Sequence, residues 1–456
     1  MKMKPITLEK IAEVTGGKYY GDDASRNTLI TSVVRDNRDA EEGSLFVCLP
    51  GANFHGHDFV ELAYGSGAVC CLAEKVLDTD KPFVCVENTR KALADLATYY
   101  RSLFDVPFVG ITGSVGKTTS KEMTAAVLSK KFNVLKTTGN LNNEIGVPLT
   151  LLSLREEHTA AVIEMGISDF GEMCRLSAMV KPDICLMSNI GYCHLENLGD
   201  LDGVLKAKAE VYEYMSENGV AVVNGDDEKL GAFDPGLKKI TYGLSDKNDL
   251  WADNIKSNGL KGVTCDVHSK DSSFSLNVPA FGSHIVLAAL AAGAIAKELG
   301  VSDEDIAAGV MDYAPVKGRA NAIDTGYITI IDDCYNANPN SVSASLLSLS
   351  TLEGRKVAIL GDMFELGKDS KNLHREIGLY AGSLGIDSII ALGNHAEFIY
   401  KGMIASGSER ESWFFPMKDS FYSVLPSLIK KGDTVLVKAS HGMHFEEIVE
   451  ELKKLQ

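Results

Sequence analysis

The chain has 456 residues, 45% of them hydrophobic and 23% charged, and its formal net charge is −17. That length exceeds one ordinary domain, and the composition is that of a globular protein. The acidic balance argues against general nucleic-acid or acidic-membrane binding, which need a basic surface, but leaves room for a nucleotide in a locally positive pocket.

The opening Met1-Lys-Met-Lys-Pro5 carries charge with no apolar stretch behind it, so no secretory leader is expected. Apolar runs at 44–49 and 83–86 predict short strands among Gly-rich turns, and a helical pattern covers 89–104. Residues 1–105 are thus expected to form a small N-terminal α/β domain. From Phe108 the chain alternates apolar runs (108–112, 160–165, 184–188, 220–223) with helical patterns, the mark of a parallel sheet with crossover helices. Residues 106–314 are expected to form a central domain of P-loop type, a mostly parallel sheet with helices on both faces. The longest apolar run, 285–296, is too short to span a bilayer and predicts a buried helix. A second series of runs (328–332, 356–360, 388–392, 434–438) predicts a Rossmann-like doubly wound domain over 315–456. Nine scattered cysteines without a C-x-x-C pair predict reduced thiols in a cytoplasmic protein. No exposed apolar stripe stands out, so a monomer is expected.

Gly110-Ile-Thr-Gly113-Ser114-Val115-Gly116-Lys117-Thr118-Thr119 lies between the first central strand and a helix expected at 120–130. Glycines let backbone N–H groups converge, the helix start adds partial positive charge, and Lys117 adds a full one. Thr118 offers a hydroxyl to magnesium. Ile111 stands where the strict phosphate-loop pattern has its first Gly, and a plain strand–turn–helix connection is the alternative. Glu164 ends an otherwise apolar strand and should emerge at the sheet's carboxyl edge as a hard oxygen ligand, although a lone Glu there is usually only solvated. His194 follows the third strand. Lys208 sits in a helical stretch, where an ammonium would repel magnesium; only reaction with CO2 to a carbamate would make it a ligand.

Together these segments resemble the Mur ligases. The resemblance is carried by the phosphate loop, Thr137-Thr-Gly-Asn140-Leu-Asn142-Asn143-Glu-Ile-Gly-Val-Pro148, Glu164-Met-Gly, and 189–196 around His194. It continues in Ala207-Lys208-Ala-Glu-Val-Tyr212, Pro315-Val-Lys-Gly-Arg319, Asp332-Asp-Cys-Tyr335-Asn336-Ala-Asn338-Pro339 and Gly361-Asp-Met-Phe-Glu-Leu-Gly367. It spans nearly the whole chain in order, and three of the signatures look like the D-alanyl-D-alanine-adding branch. It implies three domains that bind a UDP-muramoyl tripeptide, ATP and the incoming dipeptide respectively. It also implies catalytic roles for Lys117, Lys208, His194, Glu164 and Arg319. Thr118 and Glu164 would hold one magnesium ion; His194 and a carbamylated Lys208 would hold a second. Residues 113–119, with Asn336 and Asn338, would contact the nucleotide. Asn140, Asn142 and Asn143 would lie by the UDP-linked substrate, and Arg35 and Asp36, with 51–57, resemble the uridine-binding region.

Five departures accompany the resemblance. Asn37 replaces the usual Ser after Asp36. Ile285 and Ala288 stand where two Asn residues are usual, one of which helps seat the nucleotide base. Ala439 and His441 replace the usual Gly and Arg. The implied reaction is attack of the tripeptide carboxylate on the γ-phosphorus of ATP, then of the dipeptide amine on the acyl phosphate, with Pro315–Gly318 as a hinge candidate. Rival readings are a sibling ligase adding one amino acid, a folate-extending ligase, and a nucleotide-binding regulator without turnover.

Overall fold

The structure is a computed structural model and describes residues 3–51 and 54–456. The first 101 residues hold β1 (Ile6–Thr7), β2 (Lys18–Tyr20), β3 (Leu29–Ile30), β4 (Ser32–Val34), β5 (Ser44–Val47), β6 (Ala68–Ala73) and β7 (Phe83–Cys85). β1 pairs with β3, and the others form a sheet of order β2-β7-β6-β5-β4, parallel except for β2. Helix Thr89–Arg101 follows, capped by the Asn88 side chain, which accepts the Lys91 N–H at 2.9 Å. Ala92, Leu93, Leu96, Ala97 and Tyr100 are its buried face, at the three- and four-residue spacing of an amphipathic helix. It ends before the expected 104, because Leu103 and Phe104 turn back by three-residue hydrogen bonds. The Tyr100 hydroxyl donates to the Leu154 carbonyl at 2.9 Å and accepts from the Lys4 N–H at 2.7 Å, which fastens this segment to the next.

The central sheet has nine strands: β8 (Phe108–Thr112), β9 (Val134–Lys136), β10 (Ala160–Glu164), β11 (Ile184–Met187), β12 (Val220–Asn224), β13 (Lys238–Gly243), β14 (Leu250–Ser257), β15 (Val263–Ser269) and β16 (Ser273–Val278). Their order is β16-β15-β14-β13-β12-β11-β8-β10-β9, parallel from β14 to β9, with β15 and β16 joined antiparallel. β8, β10, β11 and β12 are buried along their whole length, as strands covered on both faces must be. Helices Lys117–Leu128 and Ile285–Glu298 pack together on one face. The second is apolar nearly all round, the reason for its burial. Among the described residues no helix is long and apolar enough to cross a membrane.

The last sheet comprises β17 (Asn321–Asp324), β18 (Thr329–Asp332), β19 (Lys356–Gly361), β20 (Ser388–Leu392), β21 (Glu411–Phe415) and β22 (Thr434–Lys438), in the order β17-β18-β22-β19-β20-β21. Only β17 runs antiparallel. The arrangement is mixed α/β with three main sheets, and the carboxyl edges of the second and third meet over a shared cavity.

Candidate active site

The phosphate loop leaves the central strand β8 and enters helix Lys117–Leu128. Gly113 has φ +142° and Gly116 φ +80°, conformations that favour glycine. A Cβ on Gly113 would lie 2.0 Å from Ser188 Oγ, whereas Gly116 faces open space and is needed for its φ alone. With Gly116 as cap, the helix begins at Lys117 rather than 120, so Lys117, Thr118 and Thr119 form its first turn with N–H groups free for an anion. The turn after β11 braces the loop. Asn189 accepts the Val115 N–H on Oδ1 at 2.9 Å and donates Nδ2 to the Val115 carbonyl at 3.0 Å. Ser188 Oγ donates to that same carbonyl at 2.7 Å. Lys117 Nζ folds back onto the Gly113 carbonyl at 2.8 Å. Burial above all pushes its amine down to about 8.

Glu164, 1% exposed at the end of β10, accepts from Thr118 Oγ1 at 3.2 Å and from Asn142 Nδ2 at 2.8 Å, both on Oε1. Its Oε2 has no hydrogen-bond partner; the Lys121 ammonium stands 3.9 Å away. Lys121 is itself fully buried and donates to the Thr137 carbonyl at 2.7 Å, while the Thr137 hydroxyl accepts the Glu164 N–H. Lys208 is fully buried and its Nζ has no partner, so burial lowers its pKa and favours the neutral amine. His194, at φ +51°, sets Nδ1 2.5 Å from Glu365 Oε2, without the alignment of a full hydrogen bond. That contact holds the Glu365 carboxyl below its usual range.

From the last sheet, the Arg319 guanidinium lies over the Tyr335 ring at 4.1 Å, and His441 stacks on that ring at 5.2 Å. Lys438 donates to Asp333 Oδ2 at 2.6 Å and to the Asn336 carbonyl at 3.1 Å. Asn338 caps helix Pro339–Ser350, and Asn340 Oδ1 accepts the Tyr192 N–H at 3.1 Å across the two sheets' loops.

Many of these groups border one cavity of about 1210 Å³, with Lys121, Lys208 and Glu365 outside its lining. Lys117, Thr118, Glu164 and His194 line it from the central sheet; Arg319, Tyr335 and Asn336 do so from the last. Among the described residues no three or more His, Cys, Asp or Glu side chains form a ready-made metal site. The donor set suits magnesium all the same: Glu164 offers an unpartnered buried oxygen beside the Thr118 hydroxyl, and magnesium takes its remaining ligands from water and phosphate.

The Mur ligase middle domain matches residues 111–296, and the Mur ligase, glutamate ligase domain matches residues 318–441. The chain belongs to the Mur ligase family. The UDP-N-acetylmuramoyl-tripeptide--D-alanyl-D-alanine ligase of Escherichia coli (strain K12) is 34% identical over 467 residues, covering 99% of each chain. A crystal structure of MurF from Acinetobacter baumannii superposes with a TM-score of 0.92 at 32% identity over 100% of both chains. That of the MurF ligase from Thermotoga maritima in complex with ADP gives 0.82 at 30% identity over 93% of this chain and 97% of the other.

In this Mur ligase Asn140, Asn142 and Asn143 border the cavity. Asn143 is also the cap of the following turn, accepting the Gly146 N–H at 2.9 Å. Lys208 stands behind the cavity wall, near Lys117, rather than in the lining. Arg35 and Asp36 do not line the cavity either; Asp36 pairs with Arg38 at 2.5 Å. Of the 51–57 stretch, Ala52 and Asn53 lie outside the described residues. Sequence reasoning gave no role to Ser188, Asn189, Lys121 or Glu365, although Asn189 and Glu365 stand in segments that carry the resemblance. The polar turn directly after β11 was the available signal for the first two, and the Gly361–Gly367 segment for Glu365; Lys121 reaches Thr137 and Glu164 only through the fold.

Proposed function

We propose that this chain joins D-alanyl-D-alanine to a UDP-N-acetylmuramoyl tripeptide at the expense of ATP, through an acyl phosphate, completing the cytoplasmic UDP-muramoyl-pentapeptide precursor of peptidoglycan. The curated relatives carry that name, and the ADP-bound relative supports ATP as the nucleotide. The observation that carries the reading is the gathering of Lys117, Glu164, His194 and Arg319 on one cavity, with an unpartnered buried Lys208 behind it. We assign residues 1–105 to the UDP-substrate, 106–314 to ATP, and 315–456 to the dipeptide and to closure over ATP.

Lys117 and the first-turn N–H groups neutralise the β- and γ-phosphates, and Arg319 does so from the opposite wall. The third-residue carboxylate attacks the γ-phosphorus, ADP leaves, and the carboxyl oxygen now carries the phosphoryl group. The dipeptide amine then attacks the acyl carbon, loses a proton, and phosphate departs with that oxygen. Thr118 and Glu164 would hold one magnesium ion, and His194 with a carbamylated Lys208 would hold a second. Bound there, the ions supply charge neutralisation and alignment of attacking and leaving oxygens. The lowered pKa of Lys208 supports carbamylation, since only the neutral amine reacts with CO2. Closure of the last domain about Pro315–Gly318 excludes water from the acyl phosphate. The working unit is a monomer.

The test is phosphate release from ATP with UDP-tripeptide and D-alanyl-D-alanine, together and singly. Release that requires both is expected. Release with folate and glutamate, or with no acceptor, contradicts the reading.

A further inference from the structure

Loop 137–146 joins β9 to helix Gly146–Leu151 and borders the cavity through Asn140, Asn142, Asn143, Glu144 and Ile145. Its three asparagines stand differently. Asn140 and Asn143 are exposed, and Asn143 Oδ1 accepts the Ile145 and Gly146 N–H groups at 3.1 and 2.9 Å. Asn142 is half-buried and turned inward: Nδ2 donates to Glu164 Oε1 at 2.8 Å, and the main-chain carbonyl accepts the Gly166 N–H at 2.8 Å. An ionised carboxylate only accepts, so the amide nitrogen is the atom that faces it. A Cβ on Gly166 would lie 3.0 Å from that nitrogen, so a glycine there makes room for the amide.

The loop is tied in turn to the strand that carries Glu164. Thr137 donates its N–H to the Val162 carbonyl at 3.1 Å, its hydroxyl accepts the Glu164 N–H at 2.9 Å, and its carbonyl accepts from Lys121 Nζ at 2.7 Å. Asn142 therefore acts from a fixed frame. A glutamate carboxylate turns broadly about its last bond, so its plane is set by the groups that bond it. Three groups stand against this one. Thr118 Oγ1 donates to Oε1 at 3.2 Å but is itself a proposed magnesium ligand. The Lys121 ammonium, 3.9 Å from Oε2 and 2.9 Å from Glu122 Oε1, attracts the Glu164 carboxylate as a charge without fixing its plane. Asn142 is the directional donor that remains; it takes Oε1 and leaves Oε2 free of hydrogen bonds. Carboxylates that ligate metals are commonly oriented by an outer hydrogen bond of this kind.

We propose that Asn142 is a positioning residue for magnesium: it orients Glu164 toward the ion, and its amide serves the metal site rather than the UDP-linked substrate. The inference rests on the reading of Thr118 and Glu164 as magnesium ligands, and its test separates the two. Calorimetry measures ADP binding to the full chain at graded magnesium concentrations and in EDTA, and UDP-tripeptide binding alongside. In Asn142→Ala the magnesium concentration that half-maximally enhances ADP binding is expected to rise by about 10–100-fold, the usual effect of removing a partner of a metal ligand. ADP affinity in EDTA and UDP-tripeptide affinity should stay at their wild-type values, because neither passes through the ion. A purely structural role for Asn142 would weaken ADP binding with and without magnesium alike, and that result overturns the proposal. So does an unmoved magnesium midpoint, with or without weaker UDP-tripeptide binding. Asn142→Leu keeps the volume against Gly166 and lacks the donor; it should reproduce the alanine result, and it decides the matter if the alanine variant does not fold. Wild-type ADP binding that ignores magnesium would overturn the assignment of Thr118 and Glu164, and this inference with it.

Discussion

A lysine ammonium sealed in the interior without a partner is costly, so Lys208 has a strong drive to lose its proton or to react. Its fourteen-residue distance from His194 gave no hint of this, because burial belongs to the fold. Lys208→Ala is expected to abolish ligation, with short carboxylic acids such as formate restoring part of it; an active variant would remove the carbamate from the account. Gly113 is a second residue whose requirement is local. Its φ of +142° and the 2.0 Å approach of an added Cβ to Ser188 Oγ combine backbone strain with a clash. Gly113→Ala should destabilise the protein by ~2–4 kcal/mol and abolish nucleotide binding, as read by urea denaturation and calorimetry.

At the scale of elements, the buried parallel strands were legible because both faces are covered and the sequence runs apolar throughout, as in β8 and β22. The strands β13 to β16 and β17 were not. Lys238–Gly243, Leu250–Ser257 and Asn321–Asp324 mix exposed polar residues with few apolar ones, and they owe their state to a neighbouring strand rather than to their own pattern. Helix Ser370–Ser383 supplies a prediction of its own. Its His374 is fully buried; Nδ1 donates to the Ser370 carbonyl at 2.6 Å and Nε2 accepts the Met363 N–H at 2.9 Å, which fixes the neutral form. Burial lowers its pKa below the ordinary 6.5. The unfolded chain therefore binds more protons than the folded one as pH falls below 6.5, and the stability present above that value is lost on acidification. Melting temperature should fall between pH 7 and pH 5, and His374→Gln should flatten that slope while lowering the melting temperature at pH 7. An unaltered slope in the variant would contradict it.

Across the whole molecule, function depends on the last sheet meeting the central one. Two of the contacts at that junction are Asn340 to the Tyr192 N–H and Glu365 to His194. Neither is visible in sequence spacing, whereas the phosphate loop and Glu164 were, because each announces its chemistry within a strand–turn unit. Glu365 orients a proposed metal ligand from the other domain, and such partners are worth about 10–100-fold in metal affinity or activity. Glu365→Ala should raise the magnesium concentration for half-maximal activity by that factor while shifting the melting temperature little, since the carboxylate is 57% exposed. The central claim is that one cavity lets two anions exchange a phosphoryl group. It is tested most directly by labelling the tripeptide's terminal carboxylate with oxygen-18 and measuring the released phosphate by mass spectrometry. The account predicts one labelled oxygen in each phosphate; unlabelled phosphate released alongside ligated product would contradict it.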